Sequence, residues 1–327
     1  MQTPHGATGD QLIDTGDGHR LWWSQGGDPH GPTVLVIHGG PGGRTRPEPV
    51  AWLQGLPVRW VCWDQRGCGR SEPAGECRHN TLRHLLADIE RLRAHLRLGR
   101  LALLAGSWGA VPALEYACLR PQSVRGLFLR SAFLGRRDEI DAYCAAWDRW
   151  LGDAGRRLLQ LPPGGTAALL RGAAQRPPSG LLLQAWTAFE AAHAAAGGAA
   201  GEWPGATAAE IDPQQAAAWA VFAQFMRHAC FLPHGAQQRW HRRLSAWRSG
   251  PLAFVHGLRD TTCPPANTEW LAAAAGGAAE VHLVADAGHR TADPALAPVL
   301  REAVRRWALA LCAESGPPPG RDHPGGH

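Results

Sequence analysis

Short runs of apolar residues, separated by turn residues, dominate the first third of the chain. Between two of these runs, residues 81–96 carry leucine and isoleucine at helical spacing with arginines between them, which predicts an amphipathic helix. A second, Ala/Leu-rich helix is predicted to end near Leu119. Strands that alternate with helices are typical of a parallel sheet covered by helices. The apolar runs predict four buried strands, at Thr33–Ile37, 59–63, 101–105 and 124–129.

The pattern changes over residues 135–250. Strand patterns stop there, and helical stretches rich in Ala, Trp, Arg and Gln are broken by Pro and Gly. Residues 191–209 are nearly all Ala and Gly, which predicts a loosely ordered loop. This middle part of the chain is therefore expected to be a helical insertion.

Strand patterns return near the end of the chain, at 252–256 and 280–285, and a closing helix is predicted over 294–311. The Pro/Gly-rich end is expected to be disordered. We therefore expect one α/β domain interrupted by a helical cap. The divisions are 1–134 and 251–315 for the α/β part, 135–250 for the cap and 316–327 for the tail.

The composition removes several classes of function. All 33 basic residues are arginines, so chemistry that requires a lysine, such as a Schiff base or a P-loop, is excluded. The net charge of +5 is modest and the arginines are scattered, so no nucleic-acid partner is expected.

No targeting or membrane segment is expected either. Residues 1–10 are polar and lack the apolar region of a signal peptide, and no apolar run approaches the length of a membrane span. The eight cysteines are scattered without a C-x-x-C pair, which favours reduced thiols in a cytoplasmic protein over disulfides or a zinc site. The sequence indicates no oligomeric state.

A candidate nucleophile lies on the turn between the third strand and the following helix. Ser107 is flanked by small residues in the segment Ala105-Gly106-Ser107-Trp108-Gly109. A nucleophile elbow is so tight that its neighbours must be small, since larger ones would drive the strand and helix backbones into collision. Ala105 replaces the usual first glycine, a change of one methyl group that such a turn should tolerate. Ser107 is therefore predicted to be a catalytic nucleophile.

The matching base and acid should follow the last two strands. His289 comes after 280–285 and is preceded by Gly288, and Asp260 follows 252–256. Asp286 is an alternative acid, although a turn role suits it better. The chain order Ser107, Asp260, His289 is the order found in α/β-hydrolases, so we predict that fold and this triad.

The glycine turn after the first predicted strand, His38-Gly39-Gly40-Pro41-Gly42, suggests oxyanion donors. The backbone N–H groups of Gly40 and Trp108 are the candidates, and such a donor is typically worth about 3 kcal/mol of transition-state stabilisation. A phosphate-binding loop is the alternative, but the turn has neither a lysine nor G-x-G-x-x-G spacing.

Several motifs together resemble the proline iminopeptidase (prolyl aminopeptidase) family. The resemblance covers most of the chain outside the middle of the cap and the tail. The matching motifs are H-G-G-P-G-G at 38–43, W-D-Q-R-G-C-G-R-S at 63–71, G-S-W-G at 106–109, V-H-G-L-R-D at 255–260 followed by C-P at 263–264, and D-A-G-H at 286–289.

The resemblance implies release of an N-terminal residue, typically proline, through an acyl-enzyme on Ser107. It also implies that cap residues hold the substrate. Phe133 corresponds to the family's ring-packing phenylalanine, Tyr143 is a candidate for the same pocket, and Glu190, in Trp186-Thr187-Ala188-Phe189-Glu190, is the candidate anchor for the free amine. A solvent-exposed helix face is the alternative interpretation of Glu190.

The resemblance fails at one point in the cap. Met226 stands where the family usually carries a second glutamate, and Cys230 replaces a nearby aromatic residue. A dry pocket that receives an ammonium group must supply compensating charge. We therefore expect weaker recognition of a prolyl amine, in a pocket that includes Met226 and Cys230.

Three functions follow from these observations. The first is an aminopeptidase acting on a small or short-peptide substrate. The second is a hydrolase of the same scaffold that acts on an ester, lactone or non-peptide amide, for example in secondary metabolism; Met226, Cys230 and the cap tryptophans favour it. The third is a silent binding protein, which an intact triad disfavours. None of the three requires a metal or an organic cofactor.

Overall fold

The computed structural model describes residues 11–173, 177–198, 202–205 and 210–313. Eight strands form one sheet in the order β1-β2-β4-β3-β5-β6-β7-β8. The strands are β1 (Gln11–Asp14), β2 (Arg20–Gly27), β3 (Thr33–Ile37), β4 (Arg59–Trp63), β5 (Leu101–Gly106), β6 (Val124–Arg130), β7 (Leu252–Gly257) and β8 (Ala279–Val284).

The sheet is mostly parallel. Each neighbouring pair from β4 to β8 is parallel, whereas β2 is antiparallel to both β1 and β4. All six predicted strands are present within a residue or so of their expected bounds. β3, β4 and β5 were the easiest to predict, because they are buried on both faces and are therefore continuously apolar. The first two strands are additional to those that the apolar pattern predicted. β1 has four residues, of which only Ile13 is buried, so its pattern is weak.

Ten helices occur in the described residues. They are α1 (Pro47–Ala51), α2 (Leu82–His95), α3 (Ala110–Leu119), α4 (Arg137–Leu158), α5 (Gly165–Gly172), α6 (Gly180–His193), α7 (Pro213–Arg227), α8 (Ala236–Ser245), α9 (Ala266–Ala275) and α10 (Leu296–Ala313). Between β6 and β7 the regular elements are helical, as the pattern predicted. Within the described part of the chain, no helix is both long and apolar enough to cross a bilayer.

Helices cover both faces of the sheet and enclose two apolar clusters. One contains the inward residues of α2 and α3 and continues into the helices of the insertion, while the other lies beneath α10. α3 is buried on nearly every side, which explains why its sequence is Ala/Leu-rich rather than amphipathic.

Aromatic rings fill the interior of the insertion. The rings of Trp147 and Phe189 stack with centroids 5.8 Å apart, and Trp219 meets Trp147 edge to face at 6.0 Å. The last helix of the insertion, α8, instead packs on α3, where Trp240 Nε1 donates to Glu115 Oε2 at 2.7 Å. α4, α6 and α7 are the helices of the insertion that lie over the carboxyl end of β5, next to Ser107.

The prediction of a loop over 191–209 is wrong for its first residues, because α6 continues through His193. Alanine favours helix, so the Ala-rich beginning of this stretch extends α6. Residues 199–201 and 206–209 of that stretch, the N-terminal residues 1–10 and the predicted tail 316–327 lie outside the described residues.

Candidate active site

Ser107 lies at the carboxyl end of β5, on the turn that leads into α3. Its φ angle is 54°, a left-handed conformation that is uncommon for a residue with a side chain. Close backbone approach requires a glycine at position 109, because a Cβ at Gly109 would lie 2.6 Å from the carbonyl oxygen of Ile37. The methyl group of Ala105 is accommodated in the buried strand. The turn therefore holds the Ser107 hydroxyl up from the sheet edge.

Three side chains from separate loops form one hydrogen-bonded chain. His289 Nε2 lies 3.1 Å from Ser107 Oγ, and His289 Nδ1 lies 2.7 Å from Asp260 Oδ2. A carboxylate only accepts, so Nδ1 carries the hydrogen and Nε2 is free to accept one from Ser107. The imidazole is thus oriented to remove a proton from the hydroxyl.

Asp260 is held as a carboxylate. Its Oδ1 accepts the backbone N–H groups of Thr262 and Cys263, both at 2.9 Å. Burial acts to raise the pKa of Asp260, but the neighbouring His289 and the hydrogen bond from His256 outweigh it, so the pKa lies well below its usual value. Asp260 is therefore ionised at neutral pH.

His289 is held neutral by its surroundings. Burial lowers its pKa because it penalises the imidazolium, and although Asp260 opposes this, the positive charge of Arg130 adds to it. The alternative acid, Asp286, is exposed and makes no hydrogen bond to His289 within the described structure. Of the two candidates, Asp260 is the one that contacts the imidazole.

The glycine turn after β3 faces the Ser107 turn. A Cβ on Gly39 would lie 3.3 Å from the Cβ of Ser107, a tight contact that glycine avoids. Gly40 has φ 141°, and a Cβ there would lie 2.6 Å from the backbone nitrogen of Gly43. Trp108 is in the first turn after the elbow, where a backbone N–H has no partner inside the helix.

Gln65, in the loop after β4, ties these two turns together. Its side-chain nitrogen donates to the carbonyl of His38 at 3.0 Å, and its side-chain oxygen accepts from Trp108 Nε1 at 2.9 Å. The backbone nitrogen of Gln65 also donates to His38 Nε2 at 2.9 Å. One amide side chain therefore fixes the spacing between the glycine turn and the elbow.

A cavity of about 810 Å³ opens above Ser107 and His289. Its inner end is largely apolar and lies between the insertion and the sheet edge, while its outer end is lined by exposed residues of the loop before α1, of α7 and of the loop after His289. Such a cavity over a reactive group is the usual form of a small-molecule site. The inner end is lined by Phe133, Ile140, Tyr143, Trp186, Glu190, Phe222 and Met226.

Glu190 is the carboxylate at the inner end that faces Tyr143. The Tyr143 hydroxyl donates to Glu190 Oε1, and Trp186 Nε1 donates to the same hydroxyl oxygen at 3.2 Å. Burial raises the pKa of Glu190, with the Tyr143 hydrogen bond opposing it. The carboxyl group is thus held in place and is only partly compensated.

Comparison with known proteins agrees with this architecture. The family model described as the alpha/beta hydrolase fold matches residues 32–292. A proline iminopeptidase from Xylella fastidiosa is 32% identical over 86% of this chain and 91% of its own length, and a probable proline iminopeptidase from Leptolyngbya boryana is 31% identical over 88% and 91%. The chain belongs to the proline iminopeptidase family of α/β-hydrolases.

Solved structures show the same fold. A proline iminopeptidase-related protein from Thermus thermophilus aligns with a TM-score of 0.60 and 24% identity, over 93% of this chain and 98% of its own. A haloalkane dehalogenase from Bradyrhizobium elkani aligns with a TM-score of 0.62 and 17% identity, over 94% and 99%. The α/β-hydrolase fold predicted from the sequence is therefore confirmed.

Within this family, the chain keeps most of the expected pocket residues in one place. Phe133, Tyr143, Glu190 and Met226 all line the cavity. Cys230 does not line it: the residue is fully buried, with φ 60°, and its sulfur packs 3.4 Å from the Cβ position of Gly135. The expectation that Cys230 forms part of the pocket is corrected on this point, because the turn after α7 directs its side chain away from the cavity.

Four residues near the site were not proposed as site residues from the sequence. His256 and Arg130 surround the acid and the base, Glu139 lines the cavity, and the sulfur of Cys263 lies 4.0 Å from Ser107 Oγ. His256 and Cys263 lie within the family motifs and Arg130 and Glu139 lie outside them, but the contacts of all four depend on how the loops pack, which no spacing in the sequence reveals.

Proposed function

We propose that this hydrolase releases an N-terminal proline or another small N-terminal residue through an acyl-enzyme on Ser107. The observation that carries the proposal is the hydrogen-bonded chain Ser107–His289–Asp260 at the base of a cavity whose inner end holds Glu190. The relationship to proline iminopeptidases supports the choice of substrate.

In the proposed mechanism, His289 removes the hydroxyl proton of Ser107 while Oγ attacks the substrate carbonyl carbon. The carbonyl oxygen becomes an oxyanion stabilised by the N–H groups of Gly40 and Trp108. The tetrahedral intermediate collapses, the bond to the leaving nitrogen breaks, and His289 gives that nitrogen its proton. A water molecule, deprotonated by His289, then cleaves the ester to Ser107 and restores the enzyme.

Glu190 is the proposed anchor for the substrate's free amine, with Phe133 and Tyr143 packing against the side chain. An ammonium group beside Glu190 would compensate a carboxylate that burial otherwise disfavours. The substrate would be fixed with its N-terminal residue at the inner end of the cavity and the scissile bond above Ser107.

A second candidate is an α/β-hydrolase acting on an ester, lactone or non-peptide amide. Met226 favours it, because a thioether lines the cavity where the resemblance implies a second carboxylate. The burial of Glu190 also favours it, because burial raises the pKa of this carboxyl and a protonated Glu190 would suit an uncharged acyl group.

A panel of aminoacyl arylamides and simple esters distinguishes the two. Prolyl-arylamide turnover that is lost in Ser107→Ala and falls at least tenfold in Glu190→Gln supports the aminopeptidase. The matched control is Glu269→Gln, an exposed glutamate on α9 that should leave the rates unchanged. Ester turnover without activity on free-amine substrates would support the second candidate, and failure of Ser107 to react with a fluorophosphonate would contradict both.

A further inference from the structure

The outer end of the cavity carries a group of arginines that the proposed mechanism does not use. Arg44 and Arg46 line it from the loop before α1, and Arg290 lines it from the residue after His289. All three are exposed. Glu48 and Asp212 are the carboxylates on the same rim.

The loop that carries the first two arginines is anchored to the protein at Thr45. The backbone nitrogen of Thr45 donates to Asp64 Oδ1 at 2.7 Å, and its hydroxyl donates to the carbonyl of Trp63 at 2.9 Å, so this residue faces the protein. Arg46 is extended, with φ −101° and ψ 154°. Arg44, Thr45 and Arg46 all line the cavity, so this anchored loop holds the two arginines on its rim.

These two guanidinium groups are unpaired, unlike other arginines of the same region. Arg66 is paired with Asp88 and Asp17, and Arg70 with Asp64. Within the described residues, neither Arg44 nor Arg46 takes part in an ion pair or a side-chain hydrogen bond. Two unpaired positive charges on the rim of the cavity above Ser107 are available to an anion.

The position of the rim identifies the part of the substrate that would reach it. If the N-terminal residue occupies the closed inner end near Glu190, only the leaving portion can extend to the open end. Arg44 and Arg46 follow Gly40, the proposed oxyanion donor, by four and six residues, so they belong to the loop that also contacts the reacting carbonyl.

We infer that Arg44 and Arg46 form a leaving-group subsite that prefers a carboxylate, such as the C-terminal carboxylate of a dipeptide or an acidic second residue. This inference rests on the proposed function. Arginine binds carboxylates through two parallel N–H donors, and the effect is modest here because both residues are exposed to solvent.

The test compares two substrates that differ only in charge, prolyl 4-aminobenzoate and its neutral counterpart prolyl 4-aminobenzamide. Wild type should show a kcat/KM ratio of about three to ten in favour of the carboxylate, a range expected from two exposed ion pairs. The ratio should fall toward one in the double variant Arg44→Gln/Arg46→Gln, and also in wild type at 0.5 M NaCl, where charges are screened. Arg301→Gln removes an exposed arginine that does not line the cavity and should keep the wild-type ratio.

The outcomes separate this subsite from the proposed function. A ratio near one in wild type, or a ratio that the double variant leaves unchanged, overturns the subsite while the aminopeptidase stands. Absence of turnover on both amides contradicts the aminopeptidase, and the same comparison is then made with acetyl esters of 4-hydroxybenzoate and 4-hydroxybenzamide. Faster turnover of the charged ester that is lost in the double variant would support the subsite, whereas equal rates on the two esters, or no turnover of either, would overturn it.

Discussion

His256 Nε2 lies 3.3 Å from Asp260 Oδ2, the same carboxylate oxygen that His289 contacts from the other side. His256 is fully buried, and its Nε2 also lies 2.9 Å from the carbonyl oxygen of Cys263. A carbonyl can only accept, so this nitrogen carries a hydrogen, and Nδ1 accepts from the Thr268 hydroxyl at 2.7 Å. The proposed triad acid therefore receives a hydrogen bond from a second histidine, which acts as a positioning residue.

Replacing that donor should change the pH profile as well as the rate. In His256→Phe, Asp260 loses a hydrogen bond, attracts the His289 proton more strongly and raises the pKa of His289. We expect kcat/KM to fall about tenfold and its acidic limb to move to higher pH. Unfolding should become easier by about 1–3 kcal/mol, because Thr268 and Cys263 lose a buried partner.

His256→Gln serves as the comparison because its amide N–H can replace the donor. It should recover most of the rate and return the acidic limb toward that of wild type. If His256→Phe loses stability and rate with no shift of the limb, the role of His256 is structural only.

The wild-type pH profile follows from the burial of His289. The base is active when neutral, and burial lowers its pKa from the usual value of 6.5. Activity should therefore rise with pH through a midpoint below 6.5 and stay high through neutral pH. The measurement is kcat/KM against pH with a neutral-leaving-group substrate, and a midpoint above 6.5 would contradict the assigned environment of His289.

Gln65 should matter to the rate although it is placed away from the reacting atoms. Gln65→Met keeps the length of the side chain but removes the bonds to His38 and Trp108, so the two proposed oxyanion donors lose their fixed spacing. We expect kcat to fall about tenfold with a smaller change in KM, because the loss affects the transition state more than the bound substrate.

A matched control is Gln25→Met, which removes a side-chain amide bonded to Arg59 in the sheet, on a strand away from the cavity. This control should leave kcat unchanged and alter only the Tm. Equal losses of kcat in the two variants would mean that Gln65 acts through general stability.

The sequence predicted the fold well where burial is complete. β3 to β5 are apolar on both faces, which makes them easy to recognise. The loops that follow parallel strands meet at one end of a sheet, so placing Ser107, Asp260 and His289 after parallel strands was sufficient to predict their convergence. β1 and the polar end of β2 have mixed composition, and their pairing depends on the neighbouring strand, β2 for β1 and β4 for β2, rather than on their own pattern.

The surroundings of the site were harder to predict because they depend on packing. Met226 and Cys230 are four residues apart, a spacing that would place both on one face of a continuous helix. α7 ends at Arg227, however, and Cys230 has a positive φ, so its side chain does not follow Met226 into the cavity. Arg130 bonds to the carbonyl of His289, a residue 159 positions away, which no local spacing indicates. Contacts between side chains of different loops can therefore be identified only from the folded structure.

Met226→Glu tests which acyl group the cavity suits. The substitution restores a second carboxylate opposite a bound ammonium, so a free prolyl amine would be shared between it and Glu190. We expect kcat/KM for a prolyl arylamide to rise at least tenfold, mainly through KM. The Tm of the free enzyme should fall, because Met226 is only 7% exposed and a buried carboxylate lacks a partner until substrate binds.

Met226→Gln supplies the same shape without the charge and should not produce the gain. A gain confined to the glutamate would show that charge rather than shape strengthens the binding of the ammonium group. If wild type in addition turns over esters but no prolyl arylamide, the ester or non-peptide amide candidate is favoured. Prolyl-arylamide turnover that is already efficient in wild type and unchanged by either substitution would instead mean that Glu190 alone compensates the amine. In that case the thioether at 226 only shapes the pocket, and the aminopeptidase assignment would gain support.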